Sequence, residues 1–241
     1  MRLDAATFLL QWSTGGLAFL WFTLCRNEIS QGYSKLLRAV YGAIALLGVV
    51  AGFYFDGKLI RDIASGLVAI VAFATFSKKS SEFDLVAVAF GAIGLIASVI
   101  GASDANLVDL ARVLVGAAFL GAVTDLMLLG HWYLVQPGMT RKLLNELTNA
   151  LLVIWPLEVL VMILPTGMIS VLNRSIDDGW NGILGYFWVG CAVMTGILAI
   201  FTRAALKERS YSAVMAATGL SYLAILTAFG TDLVARAILA L

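Results

Sequence analysis

The sequence is short of charge, histidine, cysteine and proline, and each shortage removes a class of protein. Only 13% of its 241 residues are Asp, Glu, Lys or Arg, about half of the ~25% usual in a soluble domain. With 61% hydrophobic residues and a mean hydropathy of +0.95, the chain carries more apolar surface than one soluble core can hide, whereas a bilayer accommodates it. A formal charge of +1 without a basic run offers no footprint for nucleic acid. Cys25 and Cys191 stand far apart, outside any C-x-x-C, which excludes a disulfide framework or a cysteine zinc site. Both read as small packing residues. One histidine excludes a bis-histidine haem built from this chain alone. Three prolines and no low-complexity stretch argue against a disordered tail. A P-loop, G-x-S-x-G, H-E-x-x-H, a paired-aspartate motif, an Arg-rich sensing helix and a mid-span lysine for retinal are also missing.

What remains is apolar runs, separated by charge clusters, at 8–25, 36–55, 62–77, 84–102, 113–135, 146–165, 183–201 and 213–232. Roughly twenty helical residues cross a ~30 Å hydrocarbon core. The expected fold is therefore all-α, a polytopic transmembrane helical bundle of about eight spans with short loops, forming a single membrane domain over 1–241. The runs are continuously apolar, unlike the alternating segments of outer-membrane barrels. The third run is the weakest, being short and starting at Asp62. The first is expected to be retained as a helix, because Asp4 and the polar Gln11, Trp12, Ser13 and Thr14 spoil a cleavable signal. The longest connection, Thr166–Gly182, places Ile169, Leu172 and Ile176 at helical spacing beside Asp177, Asp178 and Trp180, the pattern of a short interfacial helix.

Basic residues orient the chain. One set of connections holds Arg26, Lys35, Arg38, Lys78, Lys79, Arg141, Lys142, Arg203, Lys207 and Arg209, ten in all. The opposite side, with both termini, holds six: Arg2, Lys58, Arg61, Arg112, Arg174 and Arg236. It also has Asp4, Asp56, Asp62, Asp104, Asp109, Asp177, Asp178 and Asp232. The positive-inside rule puts the first set in the cytoplasm and both ends outside, as in a prokaryotic cytoplasmic membrane. Small residues recur within the runs: Gly48 and Gly52 as G-x-x-x-G, Gly94 and Gly101, Gly116 and Gly121. They predict close packing inside one bundle, or a homodimer face at the second helix. Val123-Thr124-Asp125-Leu126 echoes Gly230-Thr231-Asp232-Leu233, a faint trace of the inverted repeats of transporters.

Two carboxylates fall well inside expected spans, Asp125 in the fifth and Glu158 in the sixth. An aspartate at a span centre costs roughly 2.5–3.5 kcal/mol to insert, so each must be protonated, paired or facing a wet cavity. The hairpin about Gln136–Thr140 sets their relative depth. Asp125 and Glu158 lie nearly level if the sixth helix enters the core at Ala150, and about a turn apart if it enters at Glu146. Pro156 frees the Leu152 carbonyl near Glu158, either as an ion or water site or as a packing kink. Asn145, Glu146 and Asn149 form a polar edge at the start of the same helix, a solvated entrance or a lining leading toward Glu158. His131 sits about one turn from the cytoplasmic end of the fifth helix, flanked by Trp132 and Tyr133 at the depth of an aromatic belt. It can ligate a single haem or chlorophyll-type pigment, donate to a quinone, relay a proton, or simply belong to the girdle.

Three functions fit. The leading one is an integral membrane subunit or scaffold of a larger membrane complex of respiratory or photosynthetic type. In it His131, Trp132 and Tyr133 would touch a haem, pigment or quinone held with other membrane subunits. The alternative is a small proton- or cation-coupled transporter using Asp125 and Glu158, with Asn149 on the path. An intramembrane lipid-acting enzyme comes last, because the chain shows no nucleophile–base pair. The partners expected are the lipid bilayer and other membrane subunits, with no nucleic acid.

Overall fold

Each apolar run becomes a helix. In the computed structural model, residues 4–239 are described except 27, 56, 79, 101–105, 137 and 177. The helices are α1 (Ala5–Leu24), α2 (Gln31–Phe55), α3 (Leu59–Ala74), α4 (Glu82–Ile100), α5 (Leu107–Val135), α6 (Lys142–Ile163), α7 (Gly167–Leu172), α8 (Ile183–Lys207) and α9 (Tyr211–Ile238). No strand occurs among the described residues. Six helices, α2, α4, α5, α6, α8 and α9, are long and apolar enough to cross a membrane, and the chain is a multi-pass membrane protein. The expected count of eight is met only in part. At 16 residues α3 is short, and α1 is diluted by Gln11, Ser13, Thr14 and two glycines.

The chain divides into two compact units, residues 4–121 and residues 122–241, with α5 contributing its first half to one and its second half to the other. In the N-terminal unit α1 packs on α2, α2 on α3, α3 on α4 and α4 back on α1, a closed ring of four helices. Glycine makes the ring tight. A Cβ on Gly15 of α1 would fall on the Ala117 carbonyl of α5, and one on Gly121 would fall on the Gly15 backbone. Lipid supplies no hydrophobic drive between helices, so this backbone-to-backbone approach is what van der Waals cohesion needs. The G-x-x-x-G step of α2 works inside the unit: Gly48 faces Ser65, and Gly52 makes room for the Asp62 carboxylate. Gly101 lies outside the described residues.

Charge closes both ends of this ring. Arg38, wholly buried in α2, donates from Nε and Nη2 to the two oxygens of Asp84 at 2.8 and 2.7 Å. Its remaining donors reach the Thr75 carbonyl at 2.8 Å, the Lys78 carbonyl at 2.7 Å and the Ser80 carbonyl at 2.9 Å. One guanidinium thus ties α2 to α4 and satisfies carbonyls just past the end of α3 that would otherwise be orphaned. At the opposite end, Asp4 caps α1 by accepting from Ala6 N at 2.9 Å and Thr7 N at 3.4 Å. The same carboxylate pairs with Arg61 of α3, which also binds Asp62 at 2.8 Å. Arg38 and Arg61 are therefore interior groups, not the interfacial bases that their helix-end positions suggest.

The C-terminal unit is built on the α8–α9 hairpin. Thr195 Oγ1 donates to Thr227 Oγ1 at 2.8 Å, and Cys191 lies against Gly230, so the two helices run in register along much of their length. α6 packs on α8 through Trp155, whose ring covers Gly196 and whose indole N–H donates to the Ala192 carbonyl at 2.7 Å. A short helix, α7, does form in the Thr166–Gly182 connection, over six residues. It buries Gly167, Met168 and Val171 and leaves Ile169 exposed, so its inner face is not the expected 169–172–176 stripe. Met168 and Val171 join Met162, Trp188, Ala235 and Ile238 in one apolar cluster. Asp178 then folds the connection onto α8, accepting from Trp180 N at 2.9 Å, Gly182 N at 2.8 Å and Leu184 N at 3.0 Å. Burial pulls its carboxyl up, but these backbone donors outweigh that and hold it below the usual carboxylate range. Asp177 lies outside the described residues.

Candidate functional site

All of the candidate residues fall in the C-terminal unit, and they do not converge on one pocket. Asp125 and Glu158 are both completely buried. Side-chain contacts give their depths. Gly130 of α5 meets Thr218 of α9, Thr227 meets Thr195 of α8, and Trp155 of α6 meets Ala192 and Gly196. Counting along these helices puts Asp125 level with the stretch of α6 near Ala150, about two turns or ~12 Å from Glu158.

Glu158 has other company at its depth. The same register sets it level with Cys191 of α8 and close to Asp232 of α9. Asp232 accepts from Arg236 Nε at 2.6 Å, and both side chains of that pair are essentially inaccessible. This buried layer of ionisable groups, Glu158, Asp232 and Arg236, was not expected, since Asp232 and Arg236 had been placed at the outer interface. Their four-residue spacing, acid before base on one helix face, is the signal that could have found them. Thr231, also fully buried, donates to the Thr227 carbonyl at 2.9 Å beside the layer. In the N-terminal unit Arg112, expected at the same interface, is 6% exposed and binds Asp109 at 3.1 Å.

The C-terminal unit also buries a set of hydroxyls. Thr148, Thr202, Thr218 and Ser221 are buried, and each hydroxyl donates to a carbonyl of its own helix at 2.7 or 2.8 Å. The crevice lined by Leu126, Gly130, Leu144, Thr202, Thr218 and Ser221 encloses about 170 Å³ of non-atom space but leaves no room for a water molecule. That makes it a packing seam.

The remaining candidates separate by face. His131 is exposed, with its ring edge-on to Tyr222 at 6.4 Å between centroids and 87° between planes. Trp132 is half-buried and donates to Gln136 Oε1 at 3.2 Å, while Tyr133 is buried. Asn149 is exposed and nine residues from Glu158, half a turn around α6, so it faces away from that carboxylate. Asn145 donates to the Arg141 carbonyl at 2.9 Å. Pro156 is exposed, and α6 continues through it to Ile163. Among the described residues, no group of three His, Cys, Asp or Glu side chains is placed to hold a metal ion. No protein-family model, curated protein or solved structure matches the chain.

Proposed function

We propose that this chain is a non-catalytic integral subunit, a helical scaffold within a larger membrane complex of respiratory or photosynthetic type. The observation that carries the reading is an outward-facing imidazole. His131 presents its ring at the surface, edge-on to Tyr222. A haem, chlorophyll-type pigment or quinone touched by such a histidine would be enclosed by neighbouring subunits, with Trp132 and Tyr133 setting the depth of α5.

Eight crossings and two outside termini complete the reading. α1 and α3 each pack along two helices that are long and apolar enough to span, which supports counting them as spans. Setting buried Arg38 aside from the ten bases of one side, and Arg61, Arg112 and Arg236 from the six of the other, leaves nine against three. That sharper asymmetry favours the nine-base side as cytoplasmic, in a prokaryotic cytoplasmic membrane.

Purification in mild detergent tests the proposal. Other membrane subunits should co-purify, and His131→Ala should leave the assembly intact while shifting or bleaching its visible spectrum. A monodisperse, colourless single protein that drives ion flux in proteoliposomes would overturn it. One observation favours the alternative, a small proton- or cation-coupled transporter: Asp125, Glu158 and the Asp232–Arg236 pair are all fully buried in one unit, and intramembrane ionisable groups commonly mark ion paths. Flux abolished by Asp125→Asn or Glu158→Gln would establish that reading.

A further inference from the structure

We infer that the cytoplasmic end of the C-terminal unit holds a site for one anionic phospholipid, with its phosphate bound by Arg203, Lys207 and Arg209 and its acyl chains laid along α8. Arg141 organises the place. Its guanidinium donates to the Glu208 carbonyl at 2.5 Å and the Ser210 carbonyl at 3.0 Å, which fastens the start of α6 to the α8–α9 turn. Arg141 is thereby held against the turn that carries Arg209, and Lys142, Arg203, Lys207 and Arg209 are exposed. Five bases meet two acids at this end, exposed Glu208 and half-buried Glu146, and Arg141 engages the backbone of Glu208 rather than its carboxylate.

The neighbouring surface decides the ligand class. Val193, Ile197 and Ile200 stand 51%, 38% and 53% exposed at helical spacing, and the same stripe continues through Ala204 to Lys207. Met194 and Phe201 widen it. An apolar lane about three turns long ending in bases four residues apart matches a diacyl chain with an anionic headgroup. A free phosphate would use the bases and leave the lane idle. Bases at the membrane surface each favour anionic lipid by about 1 kcal/mol, roughly fivefold.

The test is native mass spectrometry of the full chain released from micelles holding equal amounts of phosphatidylglycerol and phosphatidylcholine of different mass. The expected result is one retained phosphatidylglycerol per chain. Arg203→Gln with Lys207→Gln should lower its preference over phosphatidylcholine by roughly 25-fold, and Arg174→Gln at the other end of the unit should leave it unchanged. The charge-preserving pair Arg203→Lys with Lys207→Arg should keep the lipid, separating loss of charge from loss of fold. Equal retention of the two lipids, an equal loss in Arg174→Gln, or retention of glycerol phosphate alone would each overturn the site. Failure to retain either lipid would overturn it as well.

Discussion

The two units bury charge in different ways. In the N-terminal unit, Arg38 with Asp84 and Arg61 with Asp4 and Asp62 sit at the two ends of a four-helix ring, each cation locked to carboxylates supplied by other helices or by its own neighbour. In the C-terminal unit the buried carboxylates are spread in depth: Asp125 on α5, Glu158 and Asp232 nearer the other end, with Arg236 bound within its own helix. The first pattern fastens helices to one another. The second stores ionisable groups inside a unit whose helices are fastened by contacts such as Trp155 to Ala192 and Thr195 to Thr227. In the N-terminal unit charge is mortar between helices, whereas the Asp232–Arg236 pair lies within one helix. A buried pair contributes little over an apolar isostere, yet breaking one strands the other member.

The largest expected effect tests the mortar. Asp84→Ala should destabilise the protein by about 3–5 kcal/mol in equilibrium unfolding in detergent, because it leaves the Arg38 guanidinium buried without its carboxylate. The double variant Arg38→Met with Asp84→Leu should recover most of that loss. If it does not, the pair specifies the fold more than it fastens it. Next comes Gly121→Val, which forces a side chain between the α1 and α5 backbones. It should cost about 3 kcal/mol, the upper end of overpacking, because backbone cannot turn aside as a side chain can. Glu158→Gln and Asp125→Asn should each cost about 1 kcal/mol or less by the same measurement, because the amide keeps the size of the carboxyl group and its capacity to hydrogen-bond. A loss as large as that of Asp84→Ala would show that the C-terminal unit also uses its carboxylates as mortar. The smallest effect is expected for His131→Ala, within about 0.5 kcal/mol, as for other exposed positions.

Acid offers a separate handle. The Asp178 carboxyl is held below the usual carboxylate range, so its anchoring of 178–184 is fully present above the ordinary carboxylate value. It is lost only as pH falls through the lowered one. Fluorescence of Trp180, whose N–H is one of the anchors, should stay constant on acidification through the ordinary range and change below it. In Asp178→Asn that acid transition should vanish.

Much of the fold is legible in the residues and much of the site is not, for one physical reason. Helices are written locally: continuous apolar runs of about twenty residues predict α2, α4, α5, α6, α8 and α9 with ends a few residues off. Buried ion pairs are written at a distance. Arg38 and Asp84 each stand near a helix end, where a base or an acid usually meets water. Only their meeting across 46 residues turns them into an interior clamp. Arg61 and Arg112 mislead in the same way. The closer pairs were open to reading, Asp232 with Arg236 and Asp109 with Arg112, because acid and base fall on one helix face. The role of Asp178 was not, because the backbone donors it gathers depend on a turn that the sequence does not announce. Depth is legible only in part: the hairpin alone leaves Asp125 and Glu158 either level or a turn apart, because a loop sets no register between α5 and α6 without their contacts to α8 and α9.

The Arg38 clamp also dictates an order of events at birth. Its carboxylate is translated 46 residues after the guanidinium, a lag of about two to nine seconds at ~5–20 residues per second. Throughout that interval the Arg38 guanidinium lacks the carboxylate that neutralises it in the finished fold. The first turn of α4, which carries Asp84, is therefore the earliest point at which the clamp can close and the first four helices can begin to settle as a group.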